Sequence, residues 1–316
     1  MTTWGVVATI KAETPAILRF VAHHLELGAS RVYVYLDAPD PRAQEALRDH
    51  PHCRVVRCDD GYWQRLNGGR PVMHQPRQTL NATRAYARAD EVDWLMHMDV
   101  DEFLVCDTPV ADQLAALPAH IKCARARPME FLAGGNPQVD AAFKMFIPAG
   151  GRRERTVSAL YPTFGQHLKG GFLSHIAGKI FVRTGINGIK FRIHNAFLDG
   201  ETNPDHFEMP DLHLAHFHAS DWDTWFGHFN YRFTAGSYRA DLGSARSRER
   251  GGITTHELFT MIMEEDGEAG MRAFFDEVCA DTPALRARLE RHGYLHRTVF
   301  PFDTTLAKHF PEVANI

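Results

Sequence analysis

The chain has 316 residues, 44% of them hydrophobic and 23% charged, which suits one large α/β domain with or without an extension. A formal net charge of −4 argues against a general nucleic-acid binder, so no nucleic-acid partner is expected. The five cysteines (Cys53, Cys58, Cys106, Cys123 and Cys279) form no CxxC pair and no zinc spacing, an odd scattered set that suits a reducing compartment. "MTTWGVVATIKAETP" lacks the basic region and long apolar stretch of a signal peptide, and no apolar run approaches the roughly 18 residues of a membrane span, so a cytoplasmic protein is expected.

"TWGVVATI" reads as a buried strand, and "TPAILRFVAHHLELG" as a helix capped by Thr14 and stopped by Gly28. "RVYVYL" is a second strand, "PRAQEALRDH" a short helix and "CRVVRC" a third strand. After a loop, "RQTLNATRAYARA" is helical and "DWLMHMD" is the fourth strand. This alternation predicts a mostly parallel sheet with flanking helices. Beyond it come a short helix "VADQLAALP", a strand "KCARARPMEFL", and a Gly-, Pro- and Arg-rich stretch from 132 to 175. Short strands follow in "GKIFVR" and "IKFRIHNAF", then "DLHLAHFHA", then a single helix "DWDTWFGHFNYRFTAG". The last 60 or so residues are helical in pattern, with "TPALRARLERHG" the clearest case. The expected division is a catalytic domain over 1–240, with a nucleotide-sugar half at 1–105 and an acceptor half at 106–240, and a helical extension over 241–316.

The fourth strand ends in acid: Asp99, Asp101 and Glu102 in "DWLMHMDVDEFL". Ligands of open parallel sheets bind beyond the carboxyl ends of the strands. In an extended segment, residues i and i+2 point the same way, so Asp99 and Asp101 are expected to face one point. Two such anions repel unless a cation joins them, and an oxygen-only site suits Mg²⁺ or Mn²⁺ completed by substrate phosphates. Glu102 is expected to orient a basic neighbour or cap the turn. Isolated acidic pairs of this kind are more often solvated turns; the apolar strand before it and "EFL" after it favour a site.

"DWLMHMDVDEFLV" resembles the DxD segment of GT-A glycosyltransferases of the family-2 type, with their "DWxxxxDxDEFL" signature. "VVATIKAETPAILRFVAHHLELGASRVYVYLD" is similar to the opening of those enzymes: Lys11 and Glu13 match, Ala12 stands where they have asparagine, and Asp37 closes the second strand. The resemblance implies a GT-A, Rossmann-like fold and a nucleotide-diphosphate sugar as donor, with a UDP-sugar favoured. It implies a metal between the diphosphate and Asp99 and Asp101, and a donor nucleotide near Thr9, Lys11, Glu13, Asp37 and Asp99. A C-terminal histidine often joins the metal in this family, which makes His216 of "HLAHFHASDW" the expected third ligand, with His218 its competitor and His194 on the site wall. His213, on the other strand face, reads as a core histidine.

The activity implied is a metal-dependent, inverting hexosyltransferase of polysaccharide biosynthesis, acting on a saccharide or lipid-linked acceptor. Inversion requires a carboxylate that deprotonates the acceptor hydroxyl. Asp199 and Asp205 lie in the broken loop "LDGETNPDHFE" and are the candidates, while Asp221 fits the first turn of the next helix. Tyr62, Trp63, Trp222 and Trp225 are candidates for an acceptor platform, with Trp225 better read as helix core. The arginine runs at 152–155 and 246–250 are solvated loops or phosphate contacts, the latter consistent with peripheral association at the inner membrane face. Two alternatives use the same residues: a metal-dependent phosphoesterase or nucleotidyltransferase, and a non-catalytic carbohydrate-binding protein. A nucleotidyltransferase should carry a glycine-rich loop after the first strand, and "ATIKAETP" has no glycine.

Overall fold

A computed structural model describes residues 1–312. Strands β1 (Trp4–Ile10) and β2 (Arg31–Leu36) are buried along nearly their whole length. Between them runs α1 (Thr14–Glu26), whose N-cap is Glu13; the Thr14 hydroxyl instead donates to Asp40. Gly28, at φ 92°, supplies the left-handed residue that ends the helix. The Asp40 carboxylate caps α2 (Pro41–Arg48), which leads to β3 (Cys53–Arg57). The expected loop after β3 contains a helix, α3 (Asp60–Asn67), started by Asp59 and stopped by Gly68.

Next come α4 (His74–Tyr86), β4 (Trp94–His97), β5 (Glu102–Val105), α5 (Val110–Ala115) and β6 (Cys123–Phe131). The Gly-, Pro- and Arg-rich stretch holds β7 (Ala141–Met145) and α6 (Arg153–Leu160). The chain continues through β8 (Lys179–Arg183), β9 (Lys190–Phe191), β10 (Ala196–Leu198), β11 (Glu201–Thr202) and β12 (His206–His216). The single helix expected after Asp221 is two: α7 (Trp222–Gly227) and α8 (Phe229–Thr234), separated at His228. Helices α9 (Thr255–Glu265), α10 (Gly267–Val278) and α11 (Pro283–His292), strand β13 (Leu295–Thr298) and helix α12 (Phe302–His309) complete the described chain.

The chain forms two compact units, neither continuous in sequence. The first comprises 1–127, 177–214 and the described residues from 301; the second comprises 128–176 and 215–300, so position 240 lies inside it.

In the first unit the strand order is β6-β8-β4-β1-β2-β3. β1 pairs in parallel with β2 and β4, and β2 with β3, so these four strands end at one edge. β8 is antiparallel to β4 and to the first half of β6. This parallel, Rossmann-like centre with flanking helices is the α/β class expected of the sequence. One core layer joins Val7, Tyr33 and Leu95 of the sheet to Tyr62 and Trp63 of α3 and Ala82 and Ala85 of α4. Phe103 of β5 packs on His23 of α1 at 5.1 Å and on Phe302 of α12 at 4.9 Å.

In the second unit the second half of β6 pairs with β7, and β7 with β13, all antiparallel. Its helices bury a cluster of rings in which Trp225 meets Phe229, Phe259, Phe274 and Phe275. Burial of that much aromatic surface is the main driving force available to so helical a unit.

Candidate active site

After β4 the chain turns tightly: the Glu102 N–H donates to the Asp99 carbonyl at 3.1 Å, with Val100 and Asp101 between. Asp99 and Asp101 are therefore carried by a turn, which corrects the extended segment expected here; strand alternation applies only to extended backbone. Glu102 closes the turn from inside, its Oε2 accepting from the Asp99 N–H at 2.8 Å.

Beneath the turn lies Lys179, the first residue of β8 and fully buried. Its Nζ is 2.6 Å from Asp99 Oδ2 and 3.2 Å from Glu102 Oε2. Gln78 of α4 donates to the other oxygen of Asp99. Burial would raise the Asp99 pKa, but Lys179, His97 and His194 together hold the carboxyl well below its usual range. The reciprocal holds for Lys179: burial would lower its pKa, and Asp99 and Glu102 raise it. Carboxylate oxygens are hard donors of the kind Mg²⁺ and Mn²⁺ take, and both oxygens of Asp99 already have partners, Oδ2 in Lys179 and Oδ1 in Gln78. Among the described residues no three His, Cys, Asp or Glu side chains converge as a metal-ligand set.

Asp37, at the end of β2, is buried and accepts from two arginines, Arg70 at 3.0 Å and Arg77 at 2.8 Å. Arg70 also donates to the Asp37 carbonyl at 2.7 Å. Thr9 of β1 accepts from Asn81 of α4 at 3.0 Å, and Asn81 in turn accepts from the Tyr62 hydroxyl. Lys11 and Glu13 are exposed just beyond β1. Thr9 near the end of β1, Lys11 just beyond it, and Asp37 and Asp99 beyond β2 and β4 thus lie at the same sheet edge.

Asp199 is exposed at the tip of the β10–β11 hairpin, where its φ of 50° and the 88° of Gly200 make a tight turn. Asp205, also at positive φ, is ion-paired to Lys122, which lowers its pKa and so its power as a base. Glu208 is ion-paired to Arg127, and Asp221 caps α7 by accepting from the Thr224 N–H at 2.7 Å. His194 Nδ1 donates to the Gly178 carbonyl at 2.9 Å. In the second unit, His216 is half-buried at the end of β12, its ring 5.3 Å from that of His218. His218 shares a hydrogen bond of 2.8 Å with the Tyr238 hydroxyl, which also accepts from Trp225 Nε1 at 3.0 Å.

Tyr62, Trp63 and Trp225 are core residues, and Trp222 stacks on Phe226. The two arginine runs meet across one acid: Arg250 pairs with Glu154 at 2.9 Å, while Arg248 pairs with Glu257 at 2.7 Å. No helix among the described residues is long and apolar enough to cross a membrane.

Sequence reasoning missed Lys179, Gln78, Arg70 and Arg77. Lys179 carries a legible signal, a charge that opens the apolar run "KIFV". The others do not, because polar residues on a loop or an amphipathic helix look alike whichever way they point.

No family model matches this chain, and no curated protein matches it. Among solved structures it is similar to HddC from Yersinia pseudotuberculosis, at 9% identity and a TM-score of 0.35, over 68% of this chain and 93% of that one. It is also similar to the galactosyltransferase LgtC in complex with donor and acceptor sugar analogues, at 9% identity and a TM-score of 0.27, over 57% of each chain. Likenesses this distant transfer no residue role to this chain.

Proposed function

We propose that the chain is a metal-dependent glycosyltransferase that takes a nucleotide-diphosphate sugar, with a UDP-sugar favoured, and passes the sugar to a hydroxyl of a saccharide or lipid-linked acceptor. The observation that carries this reading is the charged turn Asp99–Glu102 at the carboxyl end of a central parallel strand, where ligands of such sheets bind. Asp99 and Asp101 would hold Mg²⁺ or Mn²⁺, whose Lewis acidity would offset the charge on the departing diphosphate.

The chain's own residues have separable tasks. Lys179 keeps Asp99 ionised, and with Gln78 it fixes the orientation of that carboxylate. Glu102 locks the turn through the Asp99 N–H, which sets where Asp101 is presented. Arg70 and Arg77 hold Asp37 in one position at the end of β2, the side on which the resemblance puts the donor nucleotide. Lys11, exposed beyond β1, is available to a phosphate.

The test is calorimetric titration of UDP, with GDP as control, in Mn²⁺ and again in EDTA, on the wild type and Asp101→Asn. Metal-dependent UDP binding that the variant loses supports the reading. Binding of GDP alone changes the donor class, and binding of neither nucleotide sinks it.

A further inference from the structure

A surface groove lies beside α4 in the first unit. This groove of about 630 Å³ runs between α4 and β9, over the side chains of Leu66 and Leu80, and is edged by Arg84, Arg88, Lys190 and Arg192. Leu80, Thr83 and Arg84 lie on one face of α4 at helical spacing, and Arg88 follows in the turn after the helix, so this end of α4 supplies much of the wall. Among the described residues no carboxylate lines the groove, and none of its four cations is ion-paired. The walls are tied together: the Thr83 hydroxyl donates to the Phe191 carbonyl at 2.9 Å. Two of the guanidiniums are held over rings, Arg84 over Tyr62 at 5.6 Å and Arg192 over Phe197 at 4.7 Å.

We infer that this groove binds the phosphate headgroup of an anionic phospholipid and so seats the protein on a bilayer surface. Four cations with no acid among them select an anion, and a free polar anion would gain nothing from the leucine floor. A phosphodiester on an apolar stem satisfies both features. The carbonyls at the end of α4 oppose an anion, but the Ala87 and Arg88 N–H groups already engage the Thr83 and Ala85 carbonyls. The inference stands apart from the reading of Asp99 and Asp101, since none of those residues lines the groove.

The experiment is co-sedimentation of the full chain with vesicles of phosphatidylcholine alone or with about a third phosphatidylglycerol, at low and physiological salt. We expect about tenfold more bound protein on the anionic vesicles at low salt, decreasing as salt rises. Arg88→Glu with Lys190→Glu should reduce binding to the neutral-vesicle level, while Arg155→Glu, in the second unit, should leave it unchanged. Circular dichroism checks that both variants are folded. Equal binding to the two vesicle types, or full binding by the folded double variant, overturns the proposal. A second arm compares a short-chain phosphatidylglycerol below its micelle concentration with inorganic phosphate by calorimetry. About tenfold tighter binding of the lipid is expected, and equal affinity would reduce the site to a plain anion site and overturn the lipid assignment.

Discussion

The Lys179 ammonium lies 2.6 Å from Asp99 Oδ2 with none of its own side chain exposed, and Glu102 meets it at 3.2 Å. An ammonium so placed is tolerated only because both carboxylates are ionised beside it. Replacing Lys179 by Met leaves two carboxylates facing each other around the turn. The expected cost is about 3 kcal/mol, read as a lower urea midpoint at unchanged slope. A midpoint equal to wild type would mean that the ammonium contributes nothing net.

Asp101→Asn and Asp99→Asn should separate binding from stability. Asp101 is half-exposed on the turn. Its amide variant is expected to lose Mn²⁺-dependent UDP affinity by on the order of 100-fold and, being half-exposed, to melt closer to wild type than Asp99→Asn. Asp99→Asn removes the closest partner of Lys179, so it should lose both affinity and stability.

Phe103 anchors the segment that follows the turn. Its ring stacks with His24 at 6.1 Å and packs on Phe302 at 4.9 Å. Phe103→Ala is expected to cost about 3–5 kcal/mol by the cavity it leaves. Because it also frees the end of the Asp99–Glu102 turn, it should weaken nucleotide binding at temperatures where the protein is still folded. Calorimetry on the variant below its melting transition checks this.

Acid should destabilise the protein before its carboxylates titrate. Burial depresses His23 to about 4, partly offset by its bond to the Leu104 carbonyl, and burial with the neighbouring His23 holds His24 well below 6.5. The unfolded chain therefore takes up these protons first. The stability is complete above about pH 6.5 and is lost as pH falls toward 4, by about 3 kcal/mol for His23 alone. His23→Gln should flatten this limb in melting scans between pH 7 and 5.

In the second unit Glu130 and Lys144 form an ion pair of 2.7 Å, both buried. Glu130 also accepts from the Leu173 and Ser174 N–H groups, and Lys144 donates to the Val278 carbonyl. Glu130→Gln or Lys144→Met alone should cost about 3–5 kcal/mol, and the double variant clearly less than the sum. Strictly additive costs in a double-mutant cycle would deny the coupling.

The sequence by itself determined the α/β class and, apart from α3, the run of strands and helices up to β4, and it drew attention to the acids that follow β4. Those features are local: β-branched runs, a glycine after α1, and the strand "WLMH" ending in acid are set by neighbours in the chain. The same locality placed Asp221 at the start of a helix, whose first turn was expected to hold it and whose N-cap it is, and Trp225 in the core. Only the tertiary structure decided what neutralises the acids. Lys179 is 80 residues from Asp99, and Arg77 is 40 from Asp37. It also decided that the Asp99 segment is a turn, because the bond from the Glu102 N–H to the Asp99 carbonyl competes with extension and wins once Phe103 is anchored among α1 and α12. A local pattern specifies which backbone state a segment prefers, whereas the partner of a buried charge is chosen by packing between elements far apart in the chain.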